Sequence, residues 1–422
     1  MGEGNGAAML GARDRRGGDR SGLRAYNERM ILNLIRRLGR ASRAEIARAT
    51  GLSAQTASNI VNLLLEEGLL RKGEKVRGQV GQPSTPISLN PQGAFSVGVK
   101  IGRRSLEVAI VDFLGNMLRH SAISYDYPRR GQVLRETERR LDYILGSVGA
   151  AARGRIVGVG VAMPKALEAW TEELGAPPGE LEAWRSFDVA AALSEMTGLG
   201  VDLYNDATAA CAAEIYFGRA ITVPSAVYFY IGAFIGGGVV LDGRLYPGAQ
   251  GNAGALGSMP VGTAGPGGAP EQLIQKASLI FLERALAAEA LDAQQQIEDG
   301  FPDPAAQAAY RCWRAGAAVA IAQAVVGATA VIDFESVVID GLLAPAQLID
   351  LTEAVADALA RFDRKGLSPA RLCSGTVGHH ARVLGSAILP IYKHFSPDRN
   401  LLVKPRAPSA LAAVLGAAGA SA

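Results

Sequence analysis

Between Met30 and Leu64 the apolar residues recur at helical spacing in three blocks, and the residues between the blocks leave little freedom in how they fold. Met30, Ile31, Leu34, Ile35 and Leu38 form the first block, which Gly39 ends. Ser42-Arg-Ala-Glu45 has the spacing of a capping box, in which a hydroxyl and a carboxylate each satisfy a backbone N–H at a helix start. Ile46 and Ala49 then fall on the inner face of that second helix. Gly51-Leu52 makes a tight turn, and Ser53 caps a third helix with apolar positions Ala57, Ile60, Val61 and Leu64. Two short helices, a glycine turn and a third helix make a helix-turn-helix. Beyond Gly68, Leu69-Leu70-Arg71 and Thr85-Pro-Ile-Ser-Leu89 read as short strands around the loop Arg77-Gly-Gln-Val-Gly-Gln-Pro83, a hairpin wing.

Charge follows the same division. Residues 1–89 hold 15 Lys and Arg against 8 Asp and Glu, a net +7, whereas the remainder holds 28 against 32, a net −4. A basic head on a slightly acidic body is the outline of a nucleic-acid-binding module. On the third helix Gln55, Ser58, Asn59 and Asn62 lie opposite the apolar face, with Thr56 at its margin. Short amide and hydroxyl side chains suit base edges in the major groove. The expected DNA contacts are Arg43, Ser53, Gln55, Thr56, Ser58, Asn59 and Asn62, with Arg77, Gln79 and Gln82 in the wing; Arg48 and Arg71 add phosphate contacts.

Three domains are expected: a flexible basic tail over 1–22, a winged head over 23–90 and an α/β body over 91–422. Asn90-Pro-Gln-Gly93 marks the boundary between head and body. Residues 94–101, 105–113 and 117–125 read as an antiparallel meander, followed by helical text at 130–150, a buried strand at 156–162 and a short strand at 201–204. A second start near 225 repeats the pattern: a strand over 226–231, a glycine-rich turn holding Gly236-Gly237-Gly238, a strand over 238–241 and the hairpin dipeptide Asp242-Gly243. Helices over 271–292 and 304–330 precede a strand at 337–339 that ends in Asp340-Gly341. Two hairpin-led halves predict a two-lobed body with a cleft between the lobes. The uncharged run 315–332 reads as a buried helix rather than a membrane span, because Gln323 and Thr329 interrupt it. Three separated cysteines exclude a disulfide framework and any Cys-x-x-Cys zinc site, and no apolar secretory segment is visible at the N-terminus. Trp170 and Trp184 read as packing residues, and His379-His380 as a surface pair.

With its Gly81-Gln82-Pro83 wing, the head resembles the winged helix-turn-helix of the repressor branch of the ROK family (repressors, open reading frames and sugar kinases), of the xylose-repressor or N-acetylglucosamine-repressor type. The body resembles the ROK sugar-kinase-like domain. The resemblance lies in 157–164, Tyr204-Asn-Asp-Ala207, 230–238, 242–249 and Asn252-Ala-Gly-Ala-Leu-Gly-Ser258. It implies an actin-like fold, with Asn205 and Asp206 as the sugar-binding pair; the same residues also suit a helix N-cap. The resemblance also offers Glu271 as a candidate for a later sugar-binding glutamate. The departures are specific. Lys100 replaces the acidic residue of the first phosphate loop, and the second loop reads Gly232-Ala233-Phe234 where the kinases have Gly-Thr-Gly. Ala255 and Ser258 replace the Glu and His that accompany the family's zinc motif, and the loop after them has no cysteine, so neither a metal nor any other cofactor is expected.

The resulting expectation is a cytoplasmic transcriptional repressor. It would bind a palindromic operator in double-stranded DNA as a homodimer or homotetramer, without a membrane partner, and be gated by a carbohydrate in the cleft. Two rivals stand beside it: a sugar kinase carrying a DNA-binding head, and a ligand-independent DNA-binding protein with a degenerate cleft. Removing Arg77 should weaken binding to all DNA sequences alike and flatten the salt dependence by about one unit, measured by titration at several salt concentrations.

Overall fold

A computed structural model describes residues 20–74, 85–264 and 270–397. They fall into two units, one running to Ala94 and including the chain from Tyr392, the other spanning Phe95–Ile391.

In the first unit the three apolar blocks become α1 (Arg20–Leu38), α2 (Arg43–Thr50) and α3 (Ala54–Glu66). α1 begins within the stretch read as a tail, and the Arg24–Glu28 pair at i,i+4 supports its first turns. The capping box at Ser42 and Glu45 is formed, Gly51 adopts the left-handed conformation after α2, and Ser53 accepts from the Thr56 N–H. Ala57, Ile60, Val61 and Leu64 are buried, as the period requires; Ala49 and Leu38 are instead exposed. The wing strands β1 (Leu70–Lys72) and β2 (Ile87–Leu89) pair antiparallel, and Ala41 bridges to Ile87.

The second unit contains two five-stranded sheets of one topology. In the first, β3 (Phe95–Ile101), β4 (Ser105–Asp112) and β5 (Met117–Ser124) form the meander, and β6 (Ile156–Ala162) and β7 (Val201–Tyr204) extend it in parallel beside β3. In the second, β8 (Ala226–Ile231), β9 (Gly236–Leu241) and β10 (Arg244–Tyr246) form the meander, and β13 (Ser336–Gly341) and β14 (Arg371–Ser374) extend it beside β8. Between β10 and β13 lie the pair β11 (Pro260–Ala264) and β12 (Pro270–Gln272), then α7 (Leu273–Ala277) and α8 (Leu279–Ala288) within a helical layer. β3 and β8 are buried along their whole length, which requires helices on both faces of each sheet.

In the first lobe the outer layer includes α4 (Arg130–Gly146) and α5 (Val189–Thr197). In the second it includes α9 (Ala293–Glu298), α10 (Pro304–Val331) and α11 (Pro345–Leu359). α10 is long and apolar enough to cross a membrane by composition alone, yet it packs Tyr310, Ala317, Ile321 and Val325 into the second lobe's core. The inner layer is made of two helices that exchange lobes. α6 (Asp206–Phe217) leaves β7 of the first lobe and packs under β8 and β9 of the second. α12 (Ala381–Phe395) leaves β14 of the second lobe and packs under β3 and β6 of the first, where the Ser96 hydroxyl donates to the Ala387 carbonyl.

Glycine is needed where these helices meet the sheets and each other. The run Gly236-Gly237-Gly238, expected in the turn, lies inside strand β9 opposite Tyr228–Tyr230. A Cβ on Gly236 would stand 2.8 Å from the Ala207 Cβ, and one on Gly238 2.5 Å from the Cys211 Cβ, so the run lets α6 approach the sheet rather than turning the chain. Where α6 and α12 cross, a Cβ on Gly385 would lie 1.7 Å from the Ala209 carbonyl oxygen. Gly385→Ala should therefore cost about 3 kcal/mol of unfolding free energy in denaturant titration. Gly316→Ala, on an open face of α10 with nothing within 4 Å, should instead be stabilising by about 0.5–1 kcal/mol.

Candidate functional site

On the head, α3 turns Gln55, Thr56, Asn59 and Asn62 to solvent, while Ser58 is half-buried. Ser53 is exposed but uses its hydroxyl as the helix cap. Gln55 Nε2 donates to Asn59 Oδ1 at 2.9 Å, and Arg43 Nη2 on α2 donates to Asn62 Oδ1 at 2.6 Å. These pairs orient the amides along one ledge that joins the two helices. Arg71 reaches the Ser88 hydroxyl across the wing strands. Arg77, Gln79 and Gln82 lie outside the described residues.

In the body, Asn205 and Asp206 stand where β7 ends and α6 begins, at the carboxyl end of a parallel strand. Asn205 caps the helix, its Oδ1 accepting from the Ala207 and Thr208 N–H groups. Asp206 is buried; its Oδ1 accepts from the Ala207 N–H and its Oδ2 pairs with Arg382 Nη1 at 3.4 Å. Arg382 sits in the first turn of α12, 9% exposed, with its guanidinium 5.0 Å from the Tyr230 ring centroid. Burial disfavours its charge most strongly, but Tyr230, Asp206 and Glu107 outweigh that and hold it protonated. Its Nε has no hydrogen-bond partner among the described residues.

Lys100, at the end of β3, is 1% exposed. Its ammonium donates to the Ser105 hydroxyl and, at 3.0 Å, to Glu107 Oε1. Burial, reinforced by Arg382, brings its pKa down to about 8. Burial is also the largest influence on Glu107, pushing it up, but Lys100, His120 and Arg382 together hold the carboxyl well below its usual range. The loop 232–235 is fastened to the start of α8, with Ile235 donating to the Ser278 hydroxyl and Leu279 and Ile280 donating to the carbonyls of Gly232 and Ala233. Ala233 and Phe234 thereby reach across into the first lobe's core. The Phe234 ring packs on Trp170, with centroids 4.6 Å apart, and Arg103 covers Phe234 at 4.5 Å and Trp170 at 5.5 Å. An apolar ring covered by a cation thus fills this loop. Trp184 is buried and donates to the Pro128 carbonyl.

The structure joins Asp206, Arg382, Tyr230, Lys100 and Glu107 in one charged cluster, but it places Glu271 differently. Glu271 pairs with Lys276 at 2.7 Å, and no hydrogen bond or ion pair among the described residues links it to Asn205 or Asp206. Arg382 and Arg103 were not legible as site residues, because nothing in their local sequence distinguishes them from surface arginines. His380, expected at the surface, is half-buried and packs edge-on against His120. The cause is the loop before α12, which two buried carboxylates hold in place. Glu214 accepts from the backbone N–H groups of Thr376 and Val377, and Asp340 accepts from the Gly378 N–H and the Tyr228 hydroxyl.

Asp340 titrates accordingly. Burial raises its pKa from 3.8 to about 6, against an opposing hydrogen bond from Tyr228. The folded protein then retains a proton that the unfolded chain releases between those values. The stabilisation is complete at low pH and is lost as pH rises through about 6. It amounts to about 3 kcal/mol. Asp340→Asn should remove this component of the pH slope, read from denaturant midpoints across that interval.

The ROK family profile matches residues 96–392, and the MarR family profile matches residues 25–78. An uncharacterized protein, y4fQ, of Sinorhizobium fredii is 27% identical over 373 residues, 88% of this chain and 92% of that one. The xylose repressor of Bacillus spizizenii is 24% identical over 59% of this chain, and the match spans 64% of the repressor's own length. A solved ROK family transcriptional regulator, a homolog of the E. coli MLC protein, superposes with a TM-score of 0.63 at 20% identity, covering 89% of this chain and 98% of that one. The chain carries an N-terminal winged helix-turn-helix followed by an actin-like, sugar-kinase-like body, and it belongs to the ROK family.

Proposed function

We propose that this protein is a sequence-specific transcriptional repressor whose DNA affinity is set by a carbohydrate bound between the lobes of its body. The observation that carries the reading is the pairing of two features in one chain. A capped third helix presents an exposed ledge of Gln55, Thr56, Asn59 and Asn62, and the body's phosphate-loop positions hold Lys100 and Phe234. Xylose repressors among the relatives support the same assignment. α3 enters the major groove, its amides reading base edges, while Arg43, Arg48, Arg71 and Arg77 position on phosphates. Two copies, as a homodimer or within a homotetramer, place their heads about one helical turn apart on a palindromic operator in cytoplasmic DNA. The sugar contacts Asn205 and Asp206, displacing or sharing the Arg382 ion pair. That ion pair gives the ligand differential affinity for two lobe arrangements, without which it could not shift the equilibrium.

Phosphoryl transfer is not part of this reading. A kinase needs a metal and a phosphate-binding backbone at the mouth of the cleft. On this reading Lys100, a buried ammonium, and Phe234, a ring covered by Arg103, stand at those positions. Purified protein should form no sugar-dependent ADP.

The test is selection of genomic DNA fragments at fixed salt with and without a sugar panel. One enriched palindromic site, lost or gained with one sugar, is the expected result; no enriched site would overturn it. On that site Gln55→Ala and Asn59→Ala should each lower affinity about 10- to 100-fold. Asp206→Ala should leave DNA affinity intact and abolish the sugar response.

A further inference from the structure

Three of the groups left outside this function converge on one point. Glu107 on β4 and His120 on β5 are diagonal neighbours on one sheet face, since Glu107 is registered with Ala122 and His120 with Ala109. Glu107 Oε2 and His120 Nε2 lie 3.1 Å apart. Two ligand atoms at about 2.1 Å from a shared zinc ion stand roughly that far from each other. His380 enters from the loop before α12, and one ligand atom from each of the three residues lies within 4.8 Å of the others. The His120 and His380 ring centroids are 5.0 Å apart. Nδ1 of His380 is buried and has no hydrogen-bond partner among the described residues, a state that buried polar atoms seldom keep. The chain has only four histidines, and two of them meet here beside a carboxylate.

We propose that Glu107, His120 and His380 form a binding site for a divalent transition-metal cation of the zinc type. Two imidazoles and one carboxylate make a mixed nitrogen and oxygen donor set that favours such an ion over magnesium or calcium. Glu107 serves two partners with its two oxygens, Oε1 toward Lys100 and Oε2 toward the metal. The neighbouring cations, Lys100 and Arg382, oppose a further positive charge, so the site binds reversibly rather than as a permanent structural centre. All three residues are partly exposed, which lets solvent complete the coordination. Because His380 precedes Arg382 by two residues, an ion here ties the start of α12 to the first lobe's sheet.

The test uses the full chain, stripped with a chelator, in a Cys312→Ser background that removes the exposed thiol. Zn²⁺ is titrated calorimetrically and Co²⁺ is followed by its ligand-field absorption. One ion per chain is expected, with Co²⁺ bands of low-symmetry nitrogen and oxygen coordination and a rise in the unfolding temperature with Zn²⁺ but not with Mg²⁺. His120→Gln and His380→Gln should each weaken Zn²⁺ binding at least tenfold, whereas His379→Gln, its exposed neighbour, should not. Absence of stoichiometric binding to the unsubstituted cluster overturns the proposal, whatever the variants do. So does binding that survives both His120→Gln and His380→Gln unchanged.

Discussion

The second unit depends on the crossing of α6 and α12. Each helix starts from a strand of one lobe and packs under the sheet of the other, so their contact joins the lobes, alongside the packing of Phe234 into the first lobe's core. The contact is close enough that no side chain fits at Gly385, and α6 presents Ala209 and Ala212 to α12, while Ala207, Ala210 and Ala213 pack toward the second lobe's sheet. Small residues make the closest approach, with Leu389 of α12 packed beside Ala209 and Ala212. The joint is dense but thin, and such a joint suits two rigid sheets that must keep a defined relation.

The crossing also determines where charge accumulates. Asp206 lies in the first turn of α6 and Arg382 in the first turn of α12, so the two helix N-termini face each other across one ion pair. A cation at a helix N-terminus is unfavourable on dipole grounds, and Asp206 offsets that cost for Arg382. Lys100 and Glu107 form a second, largely buried ion pair, directly across the β3–β4 register. The second lobe adds Glu214 and Asp340, which are fully buried and hold the backbone of the loop that feeds α12. Buried charges are tolerated here because each has a partner or several N–H donors, and removing one partner would leave the other exposed to the full desolvation penalty.

Much of this was legible along the chain. The capping box at Ser42, the cap at Ser53 and the four buried positions of α3 follow from local chemistry that acts within one helical turn. The two meanders follow from strand alternation and from turn residues such as Asp242-Gly243. The Gly236–Gly238 run misled because a glycine run permits both a turn and a close approach, and only the partner helix distinguishes them. Asn205 and Asp206 could be located, but their division of labour could not: Asn205 caps α6 while Asp206 meets an arginine far along the chain. Ala49, read as an inner-face residue, lies exposed because the eight-residue α2 buries only Ile46.

What the amino-acid sequence determined by itself is therefore local. It set the three helices of the head and their caps, the two strand meanders, the apolar face of α3, and that the head is basic. Tertiary structure alone decided the pairing of Asp206 with Arg382, the covering of Phe234 by Arg103 and Trp170, and the meeting of Glu107, His120 and His380. The physical reason is range. Caps, turns and periodicity act through backbone hydrogen bonds between near neighbours, whereas these clusters form only when the two helices have exchanged lobes and brought the ends of distant strands together.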